Sequence, residues 1–151
     1  EEPVPLPGAG EGRVFVLPSS RFQHAQDRHG LNGSSQNRFA PGFAPTDQRS
    51  AGLLAGAVIS SGEEYYQPSR GSTAFRFEAN TAVGQAGETM VTVTTMPLNE
   101  LADPSLILEA TTELLENGAP LTDPADVHVV MTIAPDAGSM VDPDAERIER
   151  E

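Results

Sequence analysis

From about residue 73 onward, apolar and polar residues alternate in short runs, and this alternation predicts strands. Residues 73–79 (TAFRFEA) put Phe75 and Phe77 on one face and Arg76 and Glu78 on the other. Residues 89–96 (TMVTVTTM) set Val91 and Val93 opposite Thr92 and Thr94. Residues 126–134 (DVHVVMTIA) place Val127, Val129, Met131 and Ile133 on a common face. A small-residue apolar run over 53–60 (LLAGAVIS) reads as a buried strand. Near the start, residues 13–17 (RVFVL) read as an isolated edge strand ended by Pro18.

The spacing changes to that of a helix over 104–117. Ile107, Ala110 and Leu114 recur at helical intervals, with Leu106 and Leu115 widening the stripe and Glu109, Glu113 and Glu116 forming an outward acidic row. Asp103 suits the N-cap, Pro104 the first helical position and Asn117-Gly118 the stop. Asp142-Pro143 repeats the start signal and predicts a short final helix with almost no apolar face.

Residues 19–50 show neither period. Gly, Ser, Asn, Gln and Pro punctuate them, and Phe22, Phe39 and Phe43 stand far apart, so the segment reads as a polar arm. Residues 1–12 (EEPVPLPGAGEG) are expected to be extended, and the opening without Met reads as a processed or trimmed terminus. The fold class that follows is mainly β: an antiparallel β-sandwich or barrel-like domain with one α-helix (104–117) and a long extended N-terminal arm. The expected divisions are the arm over 1–50, the β-rich core over 51–140 and an acidic tail over 141–151.

Composition narrows the possibilities. The chain has 151 residues, 38% of them hydrophobic, with no Cys and no Trp. Disulfide staples, thiolate zinc sites and a cysteine nucleophile are therefore excluded. No apolar run is long enough to span a bilayer. The formal net charge is −13, and all nine basic residues are Arg. This argues against nucleic acid as a partner, since phosphate contacts need clustered cations. A Lys-free, acid-rich composition suggests a GC-rich genome or a halophilic, high-salt setting, where excess charge maintains solubility. The charge is uneven: residues 1–50 are balanced, whereas residues 101–151 carry twelve acids against Arg147 and Arg150. Such asymmetry suits head-to-tail contacts between copies.

Candidate chemistry is sparse. His24, Asp27 and His29 lie within one hexapeptide (HAQDRH) and could ligate a divalent metal or pair a base with an orienting acid. A five-residue separation, however, sets two side chains about 140° apart on a helix, unlike HExxH. The groups Asp123/Asp126/His128 and Asp142/Asp144/Glu146 lack the ligand order of an EF-hand. Asn32-Gly33-Ser34 is a formal glycosylation sequon. No phosphate loop, nucleophile elbow or dinucleotide fingerprint occurs, and no cofactor is called for.

The expectation is thus a non-enzymatic structural subunit of a viral particle (capsid, decoration or head–tail component), located in the virion and oligomeric. Its partners would be itself and other structural proteins. Expected interface residues are Phe15, Phe22, Arg28, Phe39, Phe43, Tyr65 and Tyr66. The alternatives are a secreted or cell-surface filament or envelope subunit that donates RVFVL to a neighbour's sheet, and a small metal-dependent hydrolase built on His24, Asp27 and His29.

Overall fold

The computed structural model describes residues 4–5, 13–116, 123–137 and 141–149. Strands β1 (Val4–Pro5), β2 (Val14–Val16), β3 (Glu63–Gln67), β4 (Ser72–Glu78), β5 (Met90–Pro97), β6 (Val127–Asp136) and β7 (Glu146–Ile148) form one sheet. Their spatial order is β1-β2-β6-β5-β4-β3-β7. Neighbours are antiparallel except β2 and β6, which run parallel with Phe15 opposite His128. The sheet is therefore mixed and open, which corrects the expected sandwich or barrel.

Helices α1 (Ser19–His29), α2 (Gln48–Ser61) and α3 (Pro104–Glu116) cover it. Only α3 was foreseen; its Asn117-Gly118 stop lies outside the described residues. α1 and α2 pack on one face, against Phe15, Phe75, Val91, Val93, Val130 and Ile133. α3 packs on the other, where Leu106 and Ala110 meet Val16, Val127 and Val129. Among the described residues, no helix is long and apolar enough to cross a membrane.

Each departure from the expected elements has a local cause. α2 replaces the strand expected over 53–60. Asp47 begins it with a reciprocal capping box: its carboxylate accepts from the Ser50 amide at 2.8 Å, and Ser50 Oγ accepts from the Asp47 amide at 3.1 Å. Measured from that cap, the buried positions Ala51, Ala55, Val58 and Ile59 follow helical spacing.

α1 replaces part of the expected arm. Its N-cap, Pro18, has no side-chain acceptor; the Glu109 carboxylate on α3 instead accepts from the Ser20 amide at 3.3 Å and from the hydroxyls of Ser19 and Ser20. Glu109 is thus a cap, and Glu113 is buried, so the expected outward acidic row reduces to Glu116. α2 begins before position 50 and shares its core with Phe15 and Phe39, so the expected boundary between arm and core cuts through one packed layer.

The expected C-terminal helix is, over Glu146–Ile148, strand β7 paired with β3; residues 150–151 lie outside the described residues. β2 is no isolated edge, because β6 flanks it on one side and β1 on the other. Tyr65 and Tyr66 lie in β3, and the following turn closes at Gly71, whose φ of +62° favours glycine. In β6 the register slips: Thr95 faces Val130 while Thr94 faces Thr132, which leaves Met131 as a bulge residue. The bulge turns Ile133 to the face opposite Val127 and Val129, correcting the single-face reading of that strand.

Phe39 separates the two accounts of residues 19–50. Its side chain is 2% exposed within the α1/α2 core. Phe39→Ala is expected to lower the stability of the isolated chain by about 3–5 kcal/mol in urea titration. An unchanged midpoint would show that Phe39 serves contacts outside the chain.

Candidate functional site

The histidine stretch lies on α1 and does not gather into a site. His29 is buried, and its Nδ1 donates to the Asn37 carbonyl at 2.5 Å. Burial lowers its pKa, the hydrogen bond to Asn37 raises it, and the Arg28 charge lowers it further. Asp27 is exposed and accepts from Gln23 Nε2 at 2.9 Å, one turn back on the same helix. His24 is half-buried, with its pKa lowered by desolvation and then by Arg21, Arg28 and His29, against a smaller raising effect of Asp27. No group of three or more His, Asp or Glu side chains among the described residues could hold a metal ion.

The acidic groups have structural work. Asp123 accepts from the Ala125 amide at 2.9 Å and caps the 3-10 turn Pro124–Asp126. Asp142 pairs with Arg70 at 2.8 Å and accepts from Ser69 Oγ at 2.8 Å, which ties the segment before β7 to the β3–β4 turn. Asp144 and Glu146 are exposed, and Asn32 lies exposed in the turn after α1.

The sheet instead assembles a buried polar cluster that no local pattern announces. Arg13, just before β2, forms a two-pronged ion pair with Glu64 of β3, Nη1 to Oε2 at 3.1 Å and Nη2 to Oε1 at 3.2 Å. The guanidinium also lies over the rings of Phe15 (5.5 Å) and Phe75 (5.8 Å). The His128 ring sits 5.2 Å from that of Phe15, with Nδ1 3.3 Å from Thr95 Oγ1. Burial, and secondarily the Arg13 charge, lowers the His128 pKa to about 4, so the ring is neutral at pH 7. Arg76, next in sequence to Phe75, points to the opposite face. There its Nε lies 3.7 Å from Asp136 Oδ2, which also accepts from Thr92 Oγ1 at 2.7 Å. Both clusters tie strands together.

The expected interface residues divide. Phe15 and Phe39 are core, and Phe22 packs against that same core. Arg28 is exposed. Phe43 is 43% exposed beside Gly42, whose φ is +92°. Tyr65 is half-buried under Arg76, its hydroxyl donating to Glu63 at 2.8 Å, and Tyr66 is exposed. The His24, Asp27 and His29 set behind the hydrolase alternative shares α1 but makes no group that could hold a metal ion among the described residues. The donated-strand alternative would have to pull RVFVL out of parallel pairing with β6 in its own sheet.

The largest apolar exposures are Leu53 on α2 (66%), and Leu108 (68%) and Leu115 (62%) on α3; Leu53 and Leu108 were missed, and Leu115 departs from the inward stripe expected of it. A signal existed, because Leu106 and Leu108 stand about 200° apart on a helix and cannot both face inward. Two open clefts accompany α1. One, of about 440 Å3, is lined by Ser20, Arg21, Asp103, Ser105, Leu106, Leu108 and Glu109. The other, of about 500 Å3, lies between the C-terminal end of α1 and residues 44–46. The chain matches no protein-family model, no curated protein and no solved structure.

The neutral, buried His128 makes stability depend on pH. Its folded pKa lies below the unfolded value of 6.5, so its contribution is complete above pH 6.5 and is lost as pH falls toward about 4. The expected loss across that window is about 3 kcal/mol, at 1.36 kcal/mol per pH unit. Urea titrations of wild type and His128→Leu across the window check this: the wild-type decline should be shallower in the variant. Parallel pH profiles would assign the acid sensitivity elsewhere.

Proposed function

We propose that the chain is a structural subunit of a larger assembly, in the first instance a viral particle, where it acts as a capsid, decoration or head–tail component rather than as an enzyme. The observation that carries this reading is the exposure of large apolar side chains on both helical layers: Leu53 on α2, and Leu108 and Leu115 on α3. Phe43, at the Gly42 turn, adds an aromatic group. Large apolar groups exposed on helices suit protein–protein contact. The ionisable groups at the chain's polar clusters, by contrast, are engaged in capping helices and joining strands.

The reading no longer depends on an arm, since residues 13–50 pack largely on their own sheet. Assignment to a virion rests on analogy with small sheet-based particle subunits, and the location follows from that analogy. The expected partners are other structural proteins and further copies of the chain.

Size fractionation of native material tests the proposal. The chain should travel with large particles in fixed stoichiometry, and it should remain there after a mild salt wash. Phe43→Ser combined with Leu53→Ser should reduce incorporation about tenfold or more, because burying such side chains contributes roughly 1.5–3 kcal/mol each. A chain found only as a free small species, or variants that incorporate normally, would count against it.

A further inference from the structure

We propose that the outward face of α3, from the cleft at its first turn to Leu115, docks a basic amphipathic helix of a partner protein. This rests on the assembly reading and names the chemistry of one contact within it.

The inward face of α3 is already committed, through Leu106 and Ala110, to Val16, Val127 and Val129. On the other side Leu108 and Leu115 are exposed, with exposed Thr112 between them. Seven residues are two helical turns, so the two leucines lie nearly in line, about 10 Å apart along the axis. This is the spacing at which a second helix offers its own anchors. The cleft that Leu108 shares with Ser105, Leu106 and Ser20 of α1 extends the stripe past the N-terminal end of α3 and gives it depth.

Charge selects the occupant. Residues 103–116 contain no cation, and of their carboxylates Asp103 and Glu116 are exposed and Glu109 lines the cleft. Asp103 stays ionised because hydrogen bonds from Ser105 lower its pKa. At Glu109, burial raises the pKa but hydrogen bonds from Ser19 and Ser20 bring it below the ordinary value. The cation lining the cleft, Arg21, is anchored: its Nε donates to the Met131 carbonyl at 3.0 Å, and Nη2 donates to the same oxygen. A second copy of this chain, with a formal charge of −13, would set these carboxylates against their own counterparts. A helix with leucines in one stripe and Arg or Lys beside them matches both the apolar and the acidic parts.

The test uses the full chain and a synthetic amphipathic helix of about 20 residues, leucines on one stripe and arginines flanking, with a control carrying Glu in place of Arg. Fluorescence anisotropy should show binding of the Arg peptide but not of the Glu peptide, weakened several-fold between about 50 and 500 mM salt. Leu108→Ser with Leu115→Ser should lower affinity about tenfold, and Asp103→Asn with Glu116→Gln should lower it by less. Methyl NMR should place the perturbation at Leu108 and Leu115. Equal binding by the leucine variant, or perturbation spread over the acidic surface, would reduce the effect to bulk charge attraction and overturn the site. Equal binding of the Glu peptide would overturn the charge argument. Self-association abolished by the leucine variant would make a second copy the occupant, also against the proposal. Failure here with intact loss of incorporation for Phe43→Ser/Leu53→Ser removes the α3 site and leaves the assembly reading standing.

Discussion

The three residues of β2 join the two halves of the molecule. Phe15 projects into the layer under α1 and α2, while Val16 projects into the layer under α3, so one short strand anchors both cores. Parallel pairing with β6 fixes which residue faces which layer, because a one-residue slip would exchange every side chain between them. A three-residue strand has few backbone bonds to hold that register. The Arg13–Glu64 ion pair supplies a further constraint, reaching from the strand's start to β3 at the other side of the sheet. Breaking a buried pair by removing one partner typically costs about 3–5 kcal/mol, because the remaining charge is left without compensation.

Charge serves geometry in the same way elsewhere in the fold. Glu109 closes the start of α1 from a different helix, and so fastens the layer on one face of the sheet to the layer on the other. Arg76, Asp136 and Thr92 join three adjacent strands on the face opposite Phe75. Asp142 holds the segment before β7 against the β3–β4 turn. These carboxylates belong to a chain with a large acidic excess, yet the buried ones act as specific acceptors. The remaining acidic excess gives the chain its formal charge of −13, the kind of balance that keeps a surface hydrated.

The aromatic residues that suggested anchors for neighbours turn inward instead. Phe15 and Phe39 close the chain's own core, and the apolar groups left outside are mainly leucines on helices. The function proposed from the surface therefore rests on different residues from those that first suggested it. Phe43 alone among the phenylalanines of residues 19–50 keeps the exposed position expected of a contact residue.

By itself, the sequence determined those elements whose signals are local. β4 and β5 follow from alternation, the start of β6 from the same rule, and α3 from the Asp103-Pro104 start with its inward-facing stripe. The Asp47–Ser50 box was equally local, and a helix begun there would have revealed α2 despite the β-branched pair Val58 and Ile59. Tertiary structure alone decided the rest. α1 depends on an acceptor 89 residues away from Ser20, and β7 on pairing with β3. The bulge at Met131 depends on the register with β5, and the cluster of Arg13, Glu64 and His128 on bringing β2, β6 and the more distant β3 into one sheet. Periodicity and capping report what a segment can do with its immediate neighbours. A cap, a register or an ion pair completed from across the sheet is set by chain packing, and it leaves no repeating mark in the residues that use it.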